Sequence, residues 1–250
     1  MNQKKLTGKV AVITGGSKGI GRAIALAFAA EGAGVVIASR TAGDLQKVRK
    51  EIEEIGGLCL PITADVSVES DVNHLMDEAA KTFNRIDLLV NNVGIPGPMT
   101  LLPEISKAEW DEIITTNVTG MFLCSRAALI HMIKQRSGNI INLSSGAGRL
   151  GGFVRSLPYN VSKFAVEGFT YGLAEQMKPY GICVNAIRPG RMDTDFHKHS
   201  PPEIRMNLRK AEDIVNLAVH LALQTVNTMT GQSIDLAEWE KSRSDHGLRP

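Results

Sequence analysis

A short apolar run that ends in clustered glycines constrains the fold more than any other part of the sequence. Residues 9–14 are rich in β-branched side chains, Gly15, Gly19 and Gly21 follow, and residues 23–30 have a helix-forming composition. This order predicts a strand, a glycine turn and a helix. Glycines suit such a turn because side chains would keep a phosphate away from the main-chain amides and the positive end of the helix. The stretch indicates a dinucleotide-binding unit, although its G-x-x-x-G-x-G spacing differs from the commoner fingerprint and a plain strand-to-helix turn is the alternative.

Segments typical of strands and helices continue to alternate along the chain. Further strands are predicted at 34–38, 58–64, 86–90, 139–143, 183–187 and 233–236. Further helices are predicted at 44–55, 70–83, 110–134, 159–180 and 211–223. Repeated βα units of this kind predict an α/β fold, a Rossmann-like doubly wound parallel sheet with helices on both faces. Because no internal repeat or linker interrupts the pattern, residues 1–250 are expected to form a single domain.

A tyrosine and a lysine four residues apart are the strongest candidates for chemistry. If Pro158 opens a helix, Tyr159 and Lys163 lie on the same helix face. A free tyrosine has a pKa near ~10, and a neighbouring cation lowers that pKa by favouring the phenolate. Tyr159 could then exchange a proton near neutral pH, whereas the alternative is two unrelated residues on a helix flank. Ser144 and Ser145 follow the preceding predicted strand, so they reach the same edge of the sheet.

The end of the second predicted strand carries no acidic residue. In dinucleotide-binding folds an acid about 20 positions beyond the glycines binds ribose hydroxyls, whereas an arginine accommodates a 2′-phosphate. Here Ser39, Arg40 and Thr41 follow the strand, and Lys18 lies in the glycine loop. Because arginine forms strong charge-assisted hydrogen bonds with phosphate, this set favours NADP(H) over NAD(H). Solvated surface cations are the alternative interpretation.

Three further polar residues occupy unusual places. Asp65 and Asn91 fall at the ends of predicted strands, where ligands bind in such sheets, although a capping aspartate is the alternative for the first. Asn117 falls inside the long helix predicted at 110–134, close to Gly120. Both residue types are poor choices for a helix interior, so either the helix is distorted there or these residues serve another purpose. A solvent-facing asparagine is the alternative.

Composition excludes several classes of function. The 250 residues include 43% hydrophobic and 22% charged side chains, and the formal net charge is +2, which gives no electrostatic reason to expect a nucleic acid or a membrane surface as partner. No apolar run approaches the ~20 residues of a membrane span. Cys59, Cys124 and Cys183 are far apart and without C-x-x-C spacing, which disfavours disulfides and zinc. A cytoplasmic protein is expected.

Residues 191–210 lose the regular alternation and contain several prolines. Four possible metal ligands occur there, namely Asp193, Asp195, His197 and His199. No predicted helix or strand would bring them together, so no metal site is predicted, and the segment is interpreted as a substrate lid. Residues 238–250 form a polar tail that is expected to be disordered or to lie against another subunit.

Taken together, these residues resemble the classical short-chain dehydrogenase/reductase family, from Thr14 to about Ile234. The matching motifs are Thr14-Gly15-x-x-x-Gly19-x-Gly21, Asp65-Val66, Asn91-Asn92-Val93-Gly94, Asn117, Ser145, Tyr159-x-x-x-Lys163 and Pro189-Gly190-x-x-x-Thr194. The resemblance implies a seven-stranded parallel sheet in one domain. It also implies a homotetramer or homodimer that packs through the helices at 110–134 and 158–179.

The resemblance further implies a mechanism. Tyr159 would protonate a substrate carbonyl oxygen, and Ser145 would hydrogen-bond to that oxygen. Lys163 would bind the nicotinamide ribose and lower the pKa of Tyr159, while Asn117 would hold a water that relays protons. Ser144 competes for the serine role, but Ser145 stands three residues before a glycine, as in the family pattern.

The expected function is hydride transfer between NADP(H) and a carbonyl or secondary alcohol, with a 3-oxoacyl thioester reductase and a sugar or polyol dehydrogenase both open. The cofactor-binding residues are predicted to be Thr14, Gly15, Ser17, Lys18, Gly19, Ile20, Gly21, Ser39, Arg40, Asp65, Val66, Asn91, Gly94, Tyr159, Lys163, Pro189, Gly190 and Thr194. Arg149 and Arg155 could favour an anionic substrate. The alternative function is a non-catalytic NADP(H)-binding sensor or scaffold.

The sequence departs from the family pattern in the Asn-Asn-Val-Gly motif, where Val93 replaces the usual alanine. It departs again at residues 235–238, which replace an aspartate followed by paired glycines, so an altered C-terminal turn is expected. The segment after Thr194 is also short for a lid.

Overall fold

The computed structural model of the chain describes residues 4–149, 156–198 and 202–245. Its strands are β1 Val10–Thr14, β2 Gly34–Ser39, β3 Leu58–Thr63, β4 Leu88–Asn91, β5 Gly138–Leu143, β6 Ile182–Arg188 and β7 Ser233–Asp235. Its α-helices are α1 Gly19–Ala30, α2 Ala42–Glu54, α3 Glu69–Phe83, α4 Lys107–Ile114, α5 Gly120–Gln135, α6 Leu157–Met177, α7 Pro202–Arg205, α8 Val215–Ala222 and α9 Leu236–Asp245.

The seven strands form one parallel sheet in the order β3-β2-β1-β4-β5-β6-β7. Strands β2 and β3 lie on one side of β1, and strands β4 to β7 lie on its other side. The order therefore reverses between β1 and β4, and in such sheets the ligand binds beyond the carboxyl ends of the strands at this point. The predicted doubly wound Rossmann-like fold is confirmed.

The sheet is buried on both faces because helices cover each side. Along β1, Ile13 faces a core layer that includes Phe28 of α1, while Val12 faces the opposite layer, which includes Leu75 of α3. All four side chains are fully buried. Successive strand residues point to opposite faces, so a continuous apolar run is what a strand between two helical layers requires. Burying each such side chain stabilises the fold by about 1.5–3 kcal/mol.

The helix predicted over 110–134 is in fact two α-helices joined by a wider turn. A π-helical turn at Thr115–Thr119 separates α4 from α5, and Asn117 within it is 2% exposed. The expectation of a local distortion is correct, whereas the alternative of a solvent-facing asparagine is wrong. π-Helical turns are frequent at functional sites.

The C-terminal region differs from the sequence-based expectation. Residues 238–245 belong to α9 and are not a disordered tail, while residues 246–250 lie outside the described residues. Asp235 begins this helix, since its Oδ1 atom accepts hydrogen bonds from the main-chain nitrogens of Ala237 (3.1 Å) and Glu238 (3.4 Å). Trp239 packs against the core next to His220 of α8. The altered residues after β7 thus form a capped helix. The alternative that the tail lies against another subunit stays a prediction.

The helical stretch Lys107–Gln135 is long and apolar enough to cross a membrane. More than half of its apolar window is buried inside the chain, as is typical of a core helix in a globular domain.

Candidate active site

A cavity of about 390 Å³ opens at the carboxyl ends of β1, β4, β5 and β6. Of the predicted site residues, the structure brings ten together in its lining: Lys18, Gly19, Ile20, Gly94, Ser145, Tyr159, Lys163, Pro189, Gly190 and Thr194. The topology explains this convergence because each group follows a different strand but ends at the same edge of the sheet.

Lys163 is the most deeply buried charge in this cavity. Its side chain is 5% exposed, and its Nζ atom donates a hydrogen bond to the main-chain oxygen of Leu143 at 2.7 Å. Burial lowers the pKa of Lys163 to about 8, and the negative charge of Glu167 opposes this change. The ammonium group can therefore gain or lose its proton within the range in which enzymes work.

Tyr159 lies one helical turn before Lys163, on the face that the sequence predicts. Helix α6 begins at Leu157 with Pro158 in its first turn, and Tyr159 is 8% exposed. The Lys163 Nζ atom lies 5.5 Å from the centre of the tyrosine ring. The ring of Phe196 packs against the tyrosine ring at 5.3 Å between centroids. Tyr159 therefore has both a cation and an apolar ring as neighbours.

The two adjacent serines have different partners. Ser144 is buried and donates its hydroxyl hydrogen to the carboxylate of Glu167. The Ser145 Oγ atom accepts a hydrogen bond from the main-chain nitrogen of Ala147 at 3.2 Å. A hydroxyl that accepts one bond keeps its own hydrogen for donation. The geometry therefore supports Ser145, and not Ser144, as the donor to a substrate oxygen.

Asn117 contacts the same region from the π-helical turn. Its Oδ1 atom accepts from the Ile95 nitrogen at 2.8 Å, and its Nδ2 atom donates to the Ile95 oxygen at 3.0 Å and to Ser162 Oγ at 3.1 Å. A Cβ atom added to Gly94 would lie 3.4 Å from Lys163 Nζ and 3.6 Å from Asn117 Oδ1. Gly94 thus keeps the space beside both side chains open. The water-holding role of Asn117 stays a prediction.

The glycine loop fits a closely approaching phosphate ligand. A Cβ atom on Gly21 would lie 2.3 Å from the Gly15 oxygen, and one on Gly19 would lie 2.8 Å from a Thr194 methyl carbon. Gly15 and Gly19 also have positive φ angles of +64° and +51°. Larger residues would therefore displace the main chain at the start of α1, whose amides favour anions. These features match what a nicotinamide dinucleotide requires of this loop.

Thr14 and Asn91 support the site from inside the sheet. Thr14 Oγ1 donates to the Val90 oxygen at 3.2 Å, and Asn91 Nδ2 donates to Ser125 Oγ at 3.0 Å and to Asn142 Oδ1 at 2.9 Å. Both side chains are buried and neither lines the cavity. Their predicted contacts with a cofactor stay predictions.

Asn92 was not among the predicted site residues, yet it lines the cavity. Its Nδ2 atom donates to the main-chain oxygens of Thr14 at 3.0 Å and Gly15 at 3.2 Å, so it fixes the glycine loop to the end of β4. Its position in the motif Asn91-Asn92-Val93-Gly94 was the available signal.

Val66, another predicted site residue, packs closely against Gly120. A Cβ atom added to Gly120 would lie 2.8 Å from Val66 Cγ2, so the glycine is needed for this contact. Val66 therefore supports the site through packing.

The residues predicted to select NADP(H) lie at an exposed corner beyond β2. The Lys18 Nζ atom lies 2.9 Å from Asp44 Oδ2, and the Arg40 Nη1 atom lies 3.9 Å from Asp65 Oδ2. Hydrogen bonding to Asp44 raises the pKa of Lys18. The side chains of Lys18 and Arg40 are 59% and 76% exposed, respectively. Sequence reasoning did not find the competing carboxylate of Asp44.

A second cavity of about 490 Å³ lies next to this corner, beside the N-terminus of α1. Four cationic residues contribute to its lining, namely Lys18, Arg22, Lys198 and Arg205, together with Ser17. Two of these cations come from the segment that the sequence predicts to be a lid. Asp193 and Asp195 of the same segment also line this cavity, so four cationic side chains stand against two carboxylates there. The lining is therefore of mixed charge, with more positive than negative groups.

Arg149 and Arg155 are the two arginines that the sequence analysis relates to an anionic substrate. Arg149 Nη1 pairs with Glu238 Oε1 of α9 at 3.2 Å, so its charge is directed toward the C-terminal helix. Arg155 lies outside the described residues.

Among the described residues, no group of three or more His, Cys, Asp or Glu side chains could hold a metal ion.

Comparison with known proteins agrees with this geometry. Residues 9–205 match the family model described as short chain dehydrogenase. A 3-oxoacyl-(acyl-carrier-protein) reductase of Synechocystis sp. is 42% identical over 194 residues, which cover 76% of this chain and 77% of the relative. The 3-oxoacyl-(acyl-carrier-protein) reductase FabG of Aquifex aeolicus is 33% identical over 240 residues, which cover 92% and 96%.

A solved structure, the crystal structure of levodione reductase, superposes with a TM-score of 0.86 at 28% identity and covers 92% of this chain and 96% of that one. The matching model spans most of the sequence, and the cavity holds the tyrosine, lysine and serine of the motifs. The chain belongs to the short-chain dehydrogenase/reductase family.

Proposed function

We propose that this protein is an NADP(H)-dependent oxidoreductase whose substrates are 3-oxoacyl thioesters. Family membership and the relatives confirm the broader prediction of an oxidoreductase that acts on C=O or CH–OH groups. They give no support to the alternative of a non-catalytic sensor or scaffold. The observation that carries the proposal is the buried Lys163 ammonium beside Tyr159, in the same cavity as Ser145.

These three side chains divide the proton chemistry of carbonyl reduction. NADP(H), when bound, supplies the hydride to the carbonyl carbon or accepts it from the alcohol. The Ser145 hydroxyl donates a hydrogen bond to the substrate oxygen and fixes its position. Tyr159 gives its proton to that oxygen as negative charge develops there. The Lys163 cation stabilises the phenolate that remains, because the site is buried and the attraction is little screened.

The residues of the glycine loop and its surroundings fit the cofactor. The main-chain amides of Gly19 and Ile20 and the hydroxyl of Thr194 are suited to its phosphates, and Gly94, Pro189 and Gly190 give the cofactor room within the cavity. Ser39 and Arg40 with Lys18 are suited to a 2′-phosphate, which is the basis for preferring NADP(H). Asp65 lies beside Arg40 at the same corner, and Val66 follows it in the chain.

The lining of the cavity supports an acyl substrate over a polyol. Met192, Phe196 and Ala147 contribute apolar surface close to Tyr159. A sugar or polyol would leave its additional hydroxyls without partners against such a wall, at a cost for each unpaired group. A 3-oxoacyl chain would instead bury its apolar part there. Two relatives whose names specify 3-oxoacyl reductases support the same choice.

We also propose that the protein acts in the cytoplasm as a homotetramer or homodimer, without a nucleic acid or membrane partner. The two long helical segments expose large apolar side chains, including Phe122 and Ile130 of α5 and Phe164 and Tyr171 of α6. Surfaces that expose several large apolar side chains are typical of protein interfaces. Light scattering on the purified protein, with Phe164→Glu as the disrupting variant, tests the assembly.

The substrate proposal is tested by following the absorbance of NADPH with a panel of compounds. The panel contains a 3-oxoacyl thioester, a simple ketone, an aldehyde and, in the reverse direction with NADP, a sugar alcohol. We expect the highest kcat/KM with the 3-oxoacyl thioester. Turnover of the sugar alcohol alone would refute the substrate class, and no turnover with any compound would refute the proposed activity.

A further inference from the structure

A polar cluster lies behind Ser144 and joins four elements at the catalytic edge of the sheet. The Glu167 carboxylate of α6 accepts a hydrogen bond from Ser144, and its Oε1 atom also accepts one from Ser233 Oγ of β7 at 2.9 Å. Arg188 of β6 donates from Nη1 to Ser233 Oγ at 3.0 Å, and the same nitrogen lies 3.9 Å from Glu167 Oε1. One carboxylate therefore ties the loop after β5 to β6 and β7.

The cluster is partly shielded from water, which increases the effect of its charges. Arg188 and Glu167 have side chains that are 13% and 20% exposed. The main-chain nitrogen of Ser144 donates to the Ile187 oxygen at 2.8 Å, so both the main chain and the side chain of Ser144 are held. Because Ser145 is the next residue, its orientation toward the cavity depends on these two bonds.

Glu167 also lies one helical turn after Lys163, on the same side of α6, as expected for an i, i+4 pair. The other groups that surround the Lys163 ammonium in the described structure are neutral: the Leu143 oxygen, Asn117 and Gly94, with the Tyr159 ring at 5.5 Å. Arg188 of β6 is the charged side chain next to Glu167.

Asp235 of β7 is the second carboxylate of this region, and its Oδ2 atom lies 4.0 Å from Arg188 Nε. Asp235 thus pairs with the same arginine as Glu167. Glu167 is the carboxylate whose attraction opposes the loss of charge that burial favours at Lys163.

We propose that Glu167 is a positioning residue for the reductase reaction, with two separable effects. Its hydrogen bond to Ser144 orients the neighbouring Ser145, and its negative charge keeps Lys163 protonated while Tyr159 donates its proton. This inference rests on the proposed function and adds to it a residue that does not touch the substrate.

The two effects can be separated with two substitutions. Glu167→Gln removes the charge but retains an oxygen that can accept from Ser144 and Ser233. Ser144→Ala removes the hydrogen bond but retains the charge. Glu175→Gln is the matched control, because it removes a carboxylate from an exposed position two turns further along α6.

The measurement is kcat/KM for NADPH-dependent reduction as a function of pH. For Glu167→Gln we expect the alkaline decrease to move to lower pH by about half a unit to one unit, with activity at pH 6 within about twofold of the wild type. For Ser144→Ala we expect a decrease of about three- to tenfold at every pH, without a shift of the profile. Glu175→Gln should match the wild type.

A Glu167→Gln profile that superposes on an active wild type would overturn the charge effect, and a Ser144→Ala variant with unchanged kcat/KM would overturn the orienting effect. A wild type without any turnover would instead refute the proposed function. In that case, ¹³C NMR titration of the lysine side chains still tests the inference, since the Lys163 signal must titrate at lower pH in Glu167→Gln. Thermal unfolding of each variant identifies loss of the fold.

Discussion

The catalytic end of the cavity and the corner proposed to select the cofactor hold their charges in different ways. At the catalytic end, Lys163 is buried and its Nζ atom donates to a main-chain oxygen. At the corner beyond β2, Lys18 and Arg40 are exposed and pair with the carboxylates of Asp44 and Asp65. One end holds a buried cation with a main-chain oxygen and the charge of Glu167 in its favour, and the other holds exposed cations in ion pairs.

This difference sets the size of the effects that substitutions should have. An interaction inside a protein is little screened, whereas exposed charges more than about 10 Å apart are largely screened at 0.1 M salt. Exposed ion pairs are also worth little, so an arriving phosphate can replace a carboxylate partner at small cost. Changes at the catalytic end should therefore affect turnover strongly, and changes at the corner should affect cofactor choice moderately.

The largest expected effect is that of Tyr159→Phe, which removes only the phenolic oxygen. We expect kcat to fall by about 10² to 10⁴-fold because the substrate oxygen loses its proton donor. NADPH binding, measured by fluorescence titration, should change by less than about threefold, since the corner is intact. Turnover within tenfold of the wild type would contradict the role of Tyr159 and the comparison built on it.

At the other end, Arg40→Asp should change the choice of cofactor without disabling the reaction. We expect the ratio of kcat/KM with NADPH to that with NADH to fall by about 10- to 100-fold, because a charge-assisted bond to the 2′-phosphate becomes a repulsion. Arg49→Asp is a control on the same exposed side, since Arg49 pairs with Glu53 along α2. If the ratio of kcat/KM with NADPH to that with NADH is equal in the wild type and Arg40→Asp, Arg40 does not bind the 2′-phosphate.

The pH dependence of carbonyl reduction probes the catalytic end in the unmodified protein. Because burial lowers the pKa of Lys163 to about 8, its side chain is charged below that pH and neutral above it. The charged form is the one that assists proton donation, so kcat/KM should be flat below pH 7 and fall by about tenfold per unit well above pH 8. A profile that stays flat to pH 10 would mean that Lys163 keeps its charge or is not required.

The smallest expected effect is that of Asp44→Asn, which removes the nearer of two carboxylates beside Lys18 and leaves Asp195 at 3.9 Å. We expect NADPH to bind about two- to fivefold more tightly, while NADH binding remains unchanged. The gain should diminish when binding is measured at high salt, because the Lys18 ammonium is exposed and its interactions are screened. Weaker NADPH binding in this variant would indicate that Asp44 holds Lys18 in the binding position.

Local patterns were sufficient to predict the fold and most of the cavity. The β-branched runs, the glycine loop and the spacing of Tyr159 and Lys163 depend on neighbours in the sequence, and the sheet topology then brings their ends together. The prediction of an oxidoreductase of this family is likewise confirmed.

Features that depend on partners distant in the sequence could not be predicted in this way. Ser144 meets Glu167 across 23 residues, and nothing in either local stretch indicates the pair. Lys18 meets Asp44 only because α1 and α2 begin at the same edge of the sheet. The helix after Asp235 was missed because residues 238–245 are mostly polar, and it is the buried Leu236 and the partly buried Trp239 that contact the core.

The π-helical turn at Thr115–Thr119 has a geometric consequence for the whole segment around it. An extra residue in one turn advances every later side chain by about 100° around the helix axis. Helix α4 packs against α6, whereas α5 packs against α3 and the strands β4 and β5. Deletion of one residue from the turn would restore a regular helix but rotate the apolar positions of α5 away from the sheet. The turn therefore sets the angular register that lets one continuous segment serve two different neighbours.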